Sequence, residues 1–247
     1  MILYCGDTAL REAGSYLAGL MAQSSIPFDY LASDQGFEDR SFSHSYRGII
    51  LSDYPAKNFT SEQLGKLAEK VCQGMGLLMI GGWASFTGTR REYMATVLKD
   101  VLPVLMQDQD DRVNSWQPCV IEKRMAHAIV EGLPFDRCSP SVGGFNRFQA
   151  KPDAETILTV RQIGVSRKGE RLDFAPSFDR DPLLVIGTFG SGRVAAFASD
   201  VAPHWVGGLV DWGDSRITLR AEGSNPREVG NWYAAFFERL IRWVIRE

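Results

Sequence analysis

Gly76-Leu77-Leu78-Met79-Ile80-Gly81-Gly82-Trp83-Ala84-Ser85-Phe86-Thr87-Gly88 is the stretch that decides the fold. An apolar run, Leu77 to Ile80, stops abruptly at two glycines. A compact polar and aromatic turn follows. In open α/β sheets the ligand crevice lies beyond the carboxyl ends of the strands. The turn from Gly81 to Gly88 is therefore the expected mouth of a pocket.

Working back toward the amino terminus, Ile2 to Cys5 reads as a strand, and Leu10, Ala13, Gly14, Leu17, Leu20 and Met21 fall on one helix face. Pro27 to Ala32 is a second strand, and 33–47 a polar loop or short irregular turn. Gly48 to Ser52 is a third strand, apolar on both faces. Thr60 with Gln63 forms a capping box for a helix whose buried stripe is Leu64, Leu67, Ala68 and Val71. Strand–helix alternation of this kind predicts a parallel sheet covered by helices, with right-handed crossovers.

Working forward, the pattern predicts a helix over 90–99 and an apolar strand over 102–106 beside the strand that ends at Gly81. A short helix is expected over 126–134 and a turn over 143–146. Strands are expected over 148–150, 156–160 and 183–189, the last turning tightly at 190–192 into 193–199. Residues 161–181 read as a surface excursion and 206–227 as a long loop. Glu228 to Ile245 reads as an amphipathic helix with Val229, Trp232, Phe236, Leu240, Trp243 and Val244 on one face. The expectation is one α/β domain over 1–247, with a mainly parallel sheet and an added antiparallel hairpin.

With 45% hydrophobic and 23% charged residues in 247, the chain has an ordinary globular composition and can bury a core. A formal net charge of −3 gives no basic field, so no nucleic-acid partner is expected. No apolar run reaches membrane-helix length, so no membrane is expected either. The opening MILYCGDTAL reads as a strand and not as a leader. Cys5, Cys72, Cys119 and Cys138 are dispersed without a CxxC pair, which reads as free buried thiols in a reducing cytoplasm.

GGWASFTG (81–88), LPVLMQDQDDR (102–112), HAIVEGL (127–133), FGSGRVAAFASDVAPHW (189–205) and NWYAAFFERLIRW (231–243) carry a resemblance. In that order they resemble the family called Putative glutamine amidotransferase, within the class I glutamine amidotransferase-like group. The resemblance implies a flavodoxin-like three-layer sandwich. In the active members it implies a Cys-His-Glu triad, with the cysteine in a G-x-C-x-G turn. The corresponding turn here, Gly81 to Ser85, has no cysteine, and the His-Pro-Glu sequence is absent. Pro203-His204-Trp205 is the nearest counterpart. The thiol chemistry does not carry over.

Ser85 is the only nucleophile in the turn, and a serine needs a base within hydrogen-bond reach. His204 could supply one, with Asp200 or another acid to orient it. Ser85 could equally cap the turn backbone. Gly81, Gly82, Trp83, Phe86, Asp200 and Trp205 are the expected ligand-facing residues, the aromatics forming a wall or a plug. Asp108, Asp110, Asp111 and Arg112 form a polar knot. It reads either as a turn held by an Arg112–aspartate pair or as part of the pocket, and a hard cation there stays open. No His or Cys spacing suits zinc, and the Gly187/Gly190/Gly192 run lies in a strand–turn–strand context that rejects a dinucleotide fingerprint. No cofactor is expected.

Three functions follow. The first is a cytoplasmic amidotransferase-like protein without the thiol, binding a small polar metabolite or a protein partner at the carboxyl edge. The second is a hydrolase using Ser85 and His204. The third is a structural subunit whose homo-oligomer interface uses Trp212, Trp232, Tyr233 and Phe237 of the terminal segment.

Overall fold

The computed structural model describes residues 1–247. The first half of the chain runs β1 (Ile2–Gly6), α1 (Gly14–Gln23), β2 (Phe28–Leu31), β3 (Gly48–Ser52), α2 (Ser61–Cys72), β4 (Gly76–Ile80) and the short α3 (Leu98–Val101). β1 pairs in parallel with β2 and with β3, and β3 pairs in parallel with β4. The chain thus moves from β1 out to β2, then reverses to β3 on the other side. That reversal makes a topological switch point between β1 and β3, where such sheets open a crevice. β1, β3 and β4 are buried along their whole lengths, as strands covered on both faces should be.

Helix α2 starts where the sequence predicts. The Thr60 hydroxyl accepts the Gln63 N–H, and the Gln63 side chain accepts the Thr60 N–H. A cap of this kind is worth about 1 kcal/mol. Leu64, Leu67, Ala68 and Val71 form the buried stripe.

The second half runs β5 (Val104–Met106), β6 (Arg112–Lys123), β7 (Ser141–Asn146), β8 (Phe148–Ala150), β9 (Glu155–Lys168), β10 (Arg171–Pro176), β11 (Asp181–Phe189), β12 (Gly192–Phe197), α4 (Pro203–Val206), β13 (Arg216–Leu219), β14 (Arg227–Gly230) and α5 (Asn231–Val244). β12 lies parallel to β4, and the β11–β12 hairpin is antiparallel as expected. The ten-stranded sheet has the order β2-β1-β3-β4-β12-β11-β9-β6-β7, with β10 added to β9. α5 lays Phe236 and Phe237 against Phe197 of β12, with ring centroids 5.7 and 5.2 Å apart. The α/β, flavodoxin-like three-layer architecture is therefore present. One continuous core of 68 buried residues runs through it.

The antiparallel part is larger than one hairpin. Residues 161–181 form the end of β9, all of β10 and the start of β11, not an irregular excursion. Their mixed charged and apolar residues reflect a ribbon that is largely exposed. Residues 112–123 and 143–146 are strands β6 and β7, and 206–227 includes β13. β5 does not flank β4. It pairs with β8 in a separate two-stranded sheet, because β12 occupies the place beside β4. The helix expected over 90–99 is a 3-10 turn (Tyr93–Ala95) followed by α3, and Tyr93 is drawn inward by its hydroxyl bond to the Tyr54 carbonyl. Residues 126–134 are turns in which His127 Nδ1 accepts the Ile129 N–H. Val229 belongs to β14, so α5 begins at Asn231. All four cysteines are free, but only Cys5 and Cys119 are buried, while Cys72 and Cys138 are exposed.

Candidate functional site

The turn after β4 is held from below by Asp111 and Asn146. The Asp111 carboxylate accepts the N–H groups of Thr87 (3.0 Å) and Gly88 (2.9 Å) and the Asn146 amide (2.9 Å). Asn146 in turn accepts the Gly82 N–H at 2.9 Å and donates to the Gly82 carbonyl at 3.2 Å. Charge-assisted bonds of this kind are stronger than neutral ones. Asp111 is 2% exposed and fully occupied, so it shapes the turn and does not face a ligand. Burial raises its pKa, opposed by the hydrogen bonds from Asn146, Thr87 and Gly88.

Glycine is required at both positions that enter the turn. A Cβ on Gly81 would lie 2.0 Å from the Ala198 carbonyl oxygen, and one on Gly82 would lie 2.1 Å from an Asp53 carboxylate oxygen. Asp53 leads to the centre of the site. It follows β3 directly, as Asp7 follows β1, and Gly6 and Ser52 are register partners. The Asp7 N–H donates to the Ser52 carbonyl at 3.1 Å, which sets the two aspartates side by side at the switch point. Both take left-handed backbone angles, φ +42° at Asp7 and +48° at Asp53. Such conformations are uncommon outside glycine and cluster where surrounding structure imposes them.

Around these two carboxyls lies a cavity of about 330 Å³ lined by Asp7, Thr8, Glu12, Ser33, Asp53 and Trp83 among others. Tyr4 donates its hydroxyl to Asp7 Oδ2 at 2.6 Å, and the Ala84 N–H donates to Asp53 Oδ1 at 2.7 Å. Burial pushes the Asp7 carboxyl up to about 7, against the lowering effect of the Tyr4 bond. Burial also raises Asp53, opposed by the main chain at Ala84 and Trp83 and by nearby His204. Asp200, at the end of β12, is raised well above the carboxylate range by burial and by the charges of Asp7 and Asp53. It accepts the N–H groups of Val201 (2.6 Å) and Ala202 (3.2 Å). Two buried carboxyls, Asp7 and Asp200, and the partly buried Asp53 thus share one field at the carboxyl edge, an arrangement that desolvation makes costly. No set of three acids, histidines or cysteines in the chain has the spacing to hold a metal ion.

Trp83 is 54% exposed and forms one wall. The His204 ring lies 6.1 Å from the Trp83 ring, and the Arg112 guanidinium lies over the Trp83 ring, 4.6 Å from its centroid. Arg112 also makes a two-pronged pair with Asp110, and Asp108 pairs with Arg91 in the open. Trp83, His204, Arg112, Asp53 and Asp200 are therefore brought to one edge, together with the main chain of Gly81 and Gly82. Asp108 and Asp111 are not presented to the cavity.

Phe86 and Trp205 are core residues. Phe86 packs on Phe148 at 4.9 Å, and Trp205, 2% exposed, donates its indole N–H to Asn114. Ser85 is 1% exposed and its hydroxyl accepts the Asp53 N–H at 3.3 Å, with no hydrogen bond to His204. Cys5, one residue before Gly6, is fully buried and its thiol is pushed up by burial. A second cavity, about 260 Å³, lies near the amino ends of β1 and β3 over Leu3, Ile49 and Leu67, away from all of these groups.

The sequence profile of the family described as Putative glutamine amidotransferase matches residues 8–218. The chain belongs to this family. Two solved structures are similar over almost their whole length. The cytoplasmic protein STM1381 of Salmonella typhimurium LT2 is 27% identical, with 98% of each chain covered and a TM-score of 0.74. The cytoplasmic protein STM3548 of Salmonella typhimurium is 24% identical, again with 98% of each chain covered and a TM-score of 0.75. No curated protein matches this family member in sequence. Its fold is that of the family, and no helix in it is long and apolar enough to cross a membrane.

Proposed function

We propose that this family member binds a small polar ligand at the switch point between β1 and β3, and does so without thiol-dependent glutamine hydrolysis. The observation that carries the reading is the pair of strained, adjacent aspartates, Asp7 and Asp53, on one cavity beneath Trp83. A site lined by Asp7, Asp53 and Glu12 favours a ligand with a positive charge or several hydrogen-bond donors, such as an amine or a polyol. The turn that would carry the amidotransferase cysteine offers only Ser85, whose buried hydroxyl accepts the Asp53 N–H at 3.3 Å and has no hydrogen bond to a base. The cytoplasmic proteins of similar fold and the four unbridged thiols support an assignment to the cytoplasm.

The test is a thermal-shift screen of amines, amino acid amides and polyols on the wild type and Asp53→Asn, with an ammonia-release assay on glutamine. A ligand that stabilises the wild type and loses its effect in Asp53→Asn, with no ammonia released, supports the reading. Ammonia release from glutamine by the purified chain, or hits that shift both proteins equally, overturns it.

A further inference from the structure

The aromatics of the terminal segment make a poor interface, because Trp212, Tyr233 and Phe237 are buried within the chain. The exposed apolar side chains lie elsewhere. Phe178 is 99% exposed, Trp116 93%, Phe174 61% and Leu172 60%, the four highest values among large apolar residues. All four belong to one arm, built from β6, the far end of β9, β10 and the residues just after it. Phe174 is paired with Val165 and Leu172 with Arg167, so they stand two residues apart on one face of the ribbon. Isolated exposed apolar residues need no explanation, but a cluster on a projecting ribbon marks a contact surface.

The arm also ends in a free edge. β10 pairs only with β9, so alternate N–H and C=O groups along its outer side have no strand partner. Free edges of this kind are templates for another strand unless they are blunted. Here the blunting is partial: Pro176 closes one end of β10, while Arg171 to Ala175 stay competent to pair.

From these features we infer that β10 is a self-association surface, on which a second copy of this chain pairs antiparallel about a two-fold axis at Leu172. The argument for a second copy is charge self-complementarity. With the axis at Leu172, Arg171 of each copy lies opposite Asp173 of the other, and Leu172 meets Leu172. Within the chain Asp173 pairs with Lys168, while Arg171 has no carboxylate partner. The same register places each Phe174 diagonal to the partner's Leu172, within aromatic reach. A two-fold interface needs one patch that complements itself, and this segment does.

The experiment is sedimentation equilibrium on the full chain across roughly 1–100 µM, since interfaces of ordinary size span micromolar and tighter affinities. The wild type is expected to reach twice the chain mass. Leu172→Glu is expected to weaken association at least tenfold, and so are Arg171→Asp and Asp173→Arg singly. The double swap, Arg171→Asp with Asp173→Arg, restores opposite charges and is expected to return association to within a few-fold of wild type. These sites are exposed, and circular dichroism melts confirm that each variant is folded. A wild type that stays monomeric throughout overturns the inference. So does a dimer that survives Leu172→Glu, or a double swap no better than the single changes.

Discussion

At the amino ends of β3 and β4 the chain packs against the last turn of α5, with little room to spare. A Cβ on Gly48 would lie 2.8 Å from the Ile245 side chain, and one on Gly76 would lie 2.3 Å from the Val244 carbonyl oxygen. The Arg47 guanidinium donates to the carbonyls of Ile245 and Arg246, meeting orphan groups at the end of that helix. At the carboxyl ends of β1 and β3 the chain instead leaves two aspartates in left-handed backbone, beside a cavity, with burial opposing their ionisation. The amino end is arranged for stability. The carboxyl end gives stability up, and natural proteins do that where a site needs the groups concerned.

Substitutions that sharpen this contrast differ in size. Asp111→Ala is expected to have the largest effect, a loss of about 4 kcal/mol, since it strips the acceptor from two buried N–H groups and from Asn146. Urea denaturation measures it, and a loss below about 1 kcal/mol would show that the turn does not depend on this carboxylate. Gly76→Ala comes next at about 2–3 kcal/mol, because the added Cβ meets main chain and not a movable side chain. A neutral Gly76→Ala would mean that the amino end is looser than its packing implies. Ser85→Ala is expected to be smallest, under about 1 kcal/mol, because it removes one long hydrogen bond. It should leave ligand-induced thermal shifts unchanged. If it abolishes a hydrolytic activity of the purified chain, Ser85 is a nucleophile after all.

Much of this was legible in the sequence, for reasons that can be named. Leu77 to Ile80 stopping at Gly81-Gly82 fixes both the strand and the mouth of the pocket, because only glycine fits against Ala198 and Asp53 there. The capping box at Thr60 is equally plain. Of the antiparallel half, the β11–β12 hairpin and the strands at 148–150 and 156–160 were legible, but β6, β7 and the ribbon of β10 with the far end of β9 were not, since polar residues there interrupt a clean alternation. Asp200 is visible beside the Pro203-His204-Trp205 motif. Asp7 and Asp53 are equally strand-terminal, after Gly6 and Ser52, but nothing local says that β1 and β3 are neighbours. That knowledge needs the strand order. Tyr4 is hidden in the same way, because alternation along a fully buried strand does not tell which hydroxyl reaches an acid.

The contrast rests most directly on the protonation of Asp7. Its carboxyl is raised from an ordinary 3.8 to about 7 in the folded chain, so between those values the native state holds a proton that the unfolded state releases. Wild-type stability should therefore fall as pH rises through that window and level off above it, with an upper bound of about 4 kcal/mol from this group. Asparagine keeps the Tyr4 hydrogen bond, tolerates the left-handed backbone and carries no charge. The decisive measurement is the unfolding free energy of the wild type and Asp7→Asn from pH 4 to 8. The account predicts a stability advantage for the variant that grows from pH 4 to 7 and is constant beyond it. A variant that is less stable than wild type at pH 8, or a difference that does not change with pH, contradicts it.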